Sequence, residues 1–107
     1  MRILTQDEIH ILQHDEQAFA LYFYTPLCGT CKVASKMLDV VEQLKTGYSF
    51  GKADLNFMPE MAEKFSIESV PCLLLFQNGR VKEKLYAFHS VPYIYEKMTS
   101  KNNGPSE

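Results

Sequence analysis

Apolar residues fall along this chain in short blocks, and the spacing inside each block decides what it forms. Ala18 to Tyr24 (Ala-Phe-Ala-Leu-Tyr-Phe-Tyr) is an almost unbroken apolar run of strand length, as a strand covered on both faces requires. The block after it has the helical period. Val33, Ala34, Met37, Leu38, Val41 and Leu44 line one stripe, with Lys32, Ser35, Lys36, Asp39 and Gln43 opposite, and Gly47 is placed to stop the helix. From Tyr48 to Leu55 the pattern alternates, Tyr48, Phe50, Lys52 and Asp54 on one side and Ser49, Gly51, Ala53 and Leu55 on the other. That predicts a second strand. A helix between two such strands makes a β-α-β unit, so the strands should be parallel and the crossover right-handed.

The flanking blocks complete the pattern. Arg2 to Leu4 predicts a short edge strand, and Thr5 then caps a helix running to about His14, with Glu8 completing a capping box and Ile9 and Leu12 forming the apolar face. Pro59 opens a short helix carrying Met61, Ala62 and Phe65. The continuous run Cys72 to Phe76 predicts a central strand, and Asn78-Gly79 predicts a tight hairpin into a return strand from Arg80 to about Ala87. Lys82, Glu83 and Lys84 on that strand suit an exposed edge. Ser90 caps a last helix through Val91, Ile94, Tyr95 and Met98, with Pro92 tolerated in its first turn. Phe57, Phe65 and Phe76 are assigned to the core. Residues 1–100 read as one domain and 101–107 as a flexible tail.

Composition narrows the function. At 107 residues, 46% hydrophobic and 22% charged, the chain is of globular type, and a net charge of -2 with scattered lysines and arginines offers no footprint for nucleic acid or an anionic membrane. No apolar segment is long enough to span a bilayer, and Thr5-Gln6-Asp7-Glu8 interrupts the N-terminal region before an export signal develops. Three cysteines, one of them odd, fit a reducing compartment rather than a disulfide-stapled scaffold, so a cytoplasmic location is expected.

Two of those cysteines carry the chemistry. Thr25-Pro26-Leu27-Cys28-Gly29-Thr30-Cys31-Lys32 places a C-x-x-C spacing where the apolar strand feeds the amphipathic helix. Free N–H groups and the positive end of the macrodipole in a helix's first turn favour a thiolate at Cys28, and Lys32 adds a positive charge. Two intervening residues let the sulfurs meet, so the pair can cycle between dithiol and disulfide, Cys28 attacking and the deeper Cys31 resolving. Half of a zinc site, completed by Cys72 or a histidine, is the competing reading, but no second ligand pair is present; likewise His10 and His14, four apart, read as a solvated helix face. Cys72, inside an apolar strand, reads as a buried inert thiol, with a redox-regulatory role as the lesser alternative.

Phe23 to Lys32, then Lys52-Ala53-Asp54, then Ser69-Val70-Pro71, then Leu74-Leu75-Phe76-Gln77-Asn78-Gly79 stand in the order and at the spacing of one family. From about Ile3 to Met98 the chain resembles the thioredoxins. The resemblance implies an α/β thioredoxin fold, a central mixed β-sheet flanked by helices. It implies that Val70-Pro71 is a cis peptide bond beside the cysteines and that the Val70 backbone pairs with an extended target segment. Leu27, Gly29 and Thr30 would form one side of a shallow docking patch, Val70 and Ala87 the other, with Phe88 and His89 possible at its border. The chain departs from the family where Leu27 replaces a tryptophan, Thr30 a proline and Ala87 a glycine. The Thr30 hydroxyl can donate to a Cys28 thiolate, which is expected to shift the redox potential in the oxidising direction. A further departure is Tyr22, where the family buries an aspartate that helps to deprotonate the second cysteine, so that Lys52 has lost the family's usual carboxylate partner. Cys31 is then expected to deprotonate through water or through a Lys52 left transiently neutral by burial, with slower resolution.

These readings converge on a thiol-disulfide oxidoreductase that reduces protein disulfides, needs no bound organic cofactor or metal, and acts as a monomer. Its partners would be protein disulfides and an upstream reductase, by family analogy a thioredoxin reductase. The alternative is a non-catalytic adaptor binding partner proteins through the Val70-Pro71 groove.

Overall fold

The computed structural model describes residues 1–100; the segment 101–107, read from sequence as a flexible tail, lies outside the described residues. Strand β1 (Ala18–Tyr24) is buried at every position except its two ends, because a strand lies on each side of it and helices cover both faces. It pairs in parallel with β2 (Ser49–Asp54) and antiparallel with β3 (Cys72–Gln77), which in turn pairs antiparallel with β4 (Arg80–Leu85). The sheet is therefore mixed, in the order β2-β1-β3-β4.

Alternation along β1 sorts the core into two halves. Phe19, Leu21 and Phe23 pack with Leu74, Phe76, Ile9 of helix α1 (Gln6–Asp15) and Met61 of α3 (Pro59–Lys64). Ala20 and Tyr22 point the other way, onto Ala34, Leu38 and Val41 of α2 (Gly29–Gln43) and Ile94 and Met98 of α4 (Val91–Thr99). Local signals act as their chemistry predicts. Thr5 and Glu8 form the capping box, Pro59 opens α3, and the Ser90 hydroxyl accepts from the Tyr93 amide. Asn78 and Gly79 both take the left-handed conformation, at φ 53° and 84°, that a two-residue hairpin demands.

Four expectations are corrected. Arg2 to Leu4 forms one parallel bridge, Ile3 to Lys52, rather than a strand. Helix α2 closes at Leu44, so Gly47 (φ 83°) makes the following turn instead of the helix stop. Val33 and Leu44, placed on the apolar stripe, lie at its exposed margins. Phe57, assigned to the core, is 79% exposed in a 3₁₀ turn (Leu55–Phe57) that the alternating pattern gave no hint of. No helix among the described residues is long and apolar enough to cross a membrane.

Candidate functional site: a disulfide at the start of helix α2

Beyond Tyr24 the chain leaves the sheet through Thr25 and Pro26, and the Cys28 amide donates to the Thr25 carbonyl at 3.2 Å, which turns it into α2. Cys28 is the N-cap. Its extended backbone (φ -86°, ψ 111°) aims the side chain back over the first turn, and its sulfur accepts from the Cys31 amide at 3.1 Å. A side-chain acceptor at a helix N-cap satisfies an amide that the helix itself leaves unpaired, and here the acceptor is the sulfur that must carry negative charge. Cys28 and Cys31 are joined as a disulfide, their Cα atoms 5.2 Å apart. Cys28 is partly exposed whereas Cys31 is 2% exposed, so the first sulfur meets solvent and the second is screened by protein.

Besides the Cys31 amide, two groups lie near the Cys28 sulfur. The Thr30 hydroxyl lies 3.4 Å away and, because a disulfide sulfur has no proton, it is the donor. The Val70 carbonyl oxygen is 3.9 Å away, and the Val70-Pro71 bond is cis. Leu27 stands 97% exposed beside them. Next to the disulfide runs an open, mainly apolar groove of about 350 Å³, lined by Thr30, Val33, Met37, Pro71, Phe88 and His89 among others. The turn after β4 thus contributes Phe88 and His89 to this groove.

Tyr22 occupies the inner side. Fully buried, it donates its hydroxyl to the Cys31 carbonyl at 2.8 Å, and burial raises its pKa above the ordinary phenol value. It is a donor locked onto the helix backbone, not a proton acceptor. Lys52, opposite Tyr22 in the β1–β2 register, extends its ammonium over the Tyr24 ring, 5.5 Å from the centroid. Gly29 and Lys32 lie exposed on the first turn of α2. His10 and His14 touch edge to face on the surface of α1, far along the chain from the cysteines.

Cys72 follows Pro71 but faces the opposite core, and burial pushes its thiol from 9.0 up to about 11. Because the folded value is raised, the thiol's contribution to stability is complete below pH 9 and declines as pH rises from about 9 to about 11. At pH 8 iodoacetamide should label Cys72 only in urea; labelling of the folded protein at the rate of a free thiol would contradict the buried, protonated assignment.

A family model described as thioredoxin matches residues 3–99. The chain belongs to the thioredoxin family. Among its relatives, a thioredoxin-like protein, YusE, of Bacillus subtilis is 46% identical over 98 residues, 91% of this chain and 92% of that protein. A thioredoxin of Mycoplasmoides gallisepticum is 28% identical over 86 residues, covering 80% and 86% of the two chains. In structure, the chain is similar to the oxidised thioredoxin of Plasmodium falciparum, with a TM-score of 0.82 at 22% identity over 94% and 99% of the chains, a likeness of fold. Family and disulfide geometry together make it a thiol-disulfide oxidoreductase. Its sheet carries Tyr22 under the second cysteine, and the first turn of α2 carries Thr30 beside the first.

Proposed function

We propose that this thioredoxin-family protein reduces protein disulfides. The observation carrying that reading is the asymmetry of the pair: Cys28 is reachable and served by the Cys31 amide and Thr30 hydroxyl, whereas Cys31 is enclosed. In the dithiol form the Cys28 thiolate attacks one sulfur of a target disulfide and expels the other as a thiolate, leaving a mixed disulfide. Cys31, deprotonated, then attacks the Cys28 sulfur, expels the second target thiolate and forms the 28–31 disulfide. The target gains two electrons and, from solvent, two protons. A dithiol donor returns the two electrons in the next cycle; by family analogy it is a thioredoxin reductase, meeting the surface that Leu27, Gly29 and Thr30 expose.

An extended target segment would lie across Val70 and Pro71, pairing with backbone as a strand adds to an edge, with its apolar side chains in the groove beside Pro71. The Cys31 proton leaves through water, since the Tyr22 hydroxyl is committed to the Cys31 carbonyl. A monomer working in the reducing cytoplasm fits this cycle. Insulin reduction by dithiothreitol tests the reading: catalytic amounts of the protein should hasten precipitation of the B chain, and a rate no faster than dithiothreitol alone would overturn it in favour of an adaptor.

The Thr30 hydroxyl donates to the Cys28 sulfur and so stabilises its thiolate; stabilising the reduced form makes the couple more oxidising. Thr30→Val should therefore raise the Cys28 thiol pKa and make the couple more reducing. Equilibration with glutathione reads the potential, and a value equal to wild type would count against the hydroxyl's role.

A further inference from the structure

We propose that Lys84 and Tyr86, neighbours on one face of the outer end of the sheet, are positioning residues that set Val70 against the Cys28 sulfur and thereby control target docking. The proposal rests on the protein-disulfide reading, because a small disulfide has no backbone to pair with Val70.

Lys84 in β4 lies opposite Leu74, on the face away from Leu85, and Tyr86 follows just past the strand on that same face, packed against the core around α1 and α3. The connection from α3 to β3 passes beneath them. The Lys84 ammonium donates to the Phe65 carbonyl at 2.8 Å and to the Ser66 carbonyl at 3.0 Å. The Tyr86 hydroxyl accepts from the Glu68 amide at 3.1 Å and donates to the Ser66 carbonyl at 3.4 Å. Every one of these bonds goes to backbone, so they fix the path of the chain rather than the pose of a side chain.

This segment needs fixing from outside. It is the end of a helix of only six residues, and Ser66 takes a left-handed conformation (φ 53°) that a non-glycine side chain adopts at a cost. Such a conformation persists where neighbours over-determine it, and an ammonium held by two carbonyls is a strong, charge-assisted restraint. Two residues beyond Glu68 comes Val70, whose carbonyl is 3.9 Å from the Cys28 sulfur, and then Pro71 in the groove that Tyr86 also lines. A target strand pairs with Val70 only if that backbone already stands at the right height beside the sulfur. Loss of the restraint weakens binding of an extended target and leaves the thiol chemistry at α2 untouched.

The test compares Lys84→Met, Lys84→Arg and Tyr86→Phe with wild type, using insulin as the protein disulfide and 5,5′-dithiobis(2-nitrobenzoate) as a small one. Lys84→Met keeps the apolar stem and Tyr86→Phe keeps the ring, and hydrogen exchange at the Glu68 amide reports the segment directly. Lys84→Met and Tyr86→Phe should each raise KM for insulin roughly tenfold with kcat unchanged, as loss of one or two backbone restraints would give. Both should quicken Glu68 exchange; Lys84→Met, whose side chain lies outside the groove, should leave the small-disulfide rate at the wild-type value, and Lys84→Arg, whose guanidinium can still bridge the two carbonyls, should behave near-normally. An unchanged KM, or a small-disulfide rate that falls in step with insulin reduction, would overturn the positioning role while leaving the reductase reading in place. Failure of the wild-type protein to reduce insulin would instead overturn the reductase reading, and the docking role with it.

Discussion

Replacing Cys28 with serine is expected to lower protein-disulfide turnover by at least about a thousandfold, because a hydroxyl at this N-cap stays protonated where a thiolate would form. Cys31→Ser should behave differently. The partly exposed Cys28 sulfur still attacks the target, but the enclosed group that would resolve the mixed disulfide is gone, so the protein stays covalently attached to its target. The two variants thus separate the half-reactions. Non-reducing electrophoresis after mixing with oxidised insulin should show a stable adduct for Cys31→Ser and none for Cys28→Ser. If the adduct forms through Cys31 in the Cys28→Ser protein, the order of attack proposed here is reversed.

The second large effect is expected at Tyr22, where stability and rate should move in opposite directions. The Tyr22 ring is wholly buried, stacked on Tyr24 and edge-on to Phe88 with both centroids 6.0 Å away, and its hydroxyl holds the Cys31 carbonyl. Tyr22→Asp removes that ring and leaves a carboxyl in its place. Loss of a buried aromatic side chain costs about 3 to 5 kcal/mol. Burial also raises the new carboxyl's folded pKa above its unfolded value, so the variant retains most stability below the ordinary carboxylate range and loses more as pH rises through it. The same raised carboxylate beside Cys31 is a base that wild type lacks, and resolution of the mixed disulfide should quicken. Urea unfolding at pH 4 and pH 7 reads the first effect, and stopped-flow release of reduced target reads the second. Resolution no faster than wild type would show that Cys31 is not limited by want of a base.

How much of this was legible in the residues follows from the range of each interaction. Local signals carried their elements almost unaided: the capping box of Thr5 and Glu8, Pro59 at the head of α3, the left-handed Asn78-Gly79 pair, and the unbroken run in β3. The cysteines were legible for the same reason, since the Cys31 amide that serves the Cys28 sulfur at the N-cap lies only three residues on. The cis bond at Val70-Pro71 came from family resemblance; nothing in the local sequence demands it. Contacts across the fold were not legible. Tyr22 reads as a core aromatic until its hydroxyl is seen on the Cys31 carbonyl, and Lys84 reads as an edge-strand charge until two carbonyls are seen around its ammonium. The spacing of Lys84 and Tyr86 shows that they share a face, but the segment beneath them is placed by the return from α3 to β3. Phe57, large and apolar near a strand end, reads as a core residue, whereas the 3₁₀ turn swings it out.

Everything proposed for catalysis depends on Cys28 being held as an anion near neutral pH by the start of α2. The direct measurement is the rate of iodoacetamide labelling of Cys28 in the reduced protein across pH 4 to 10, followed by peptide mass. The predicted curve has its midpoint below the ordinary thiol value of about 8.5, with rapid labelling already at pH 7. A midpoint at or above that value would contradict the account.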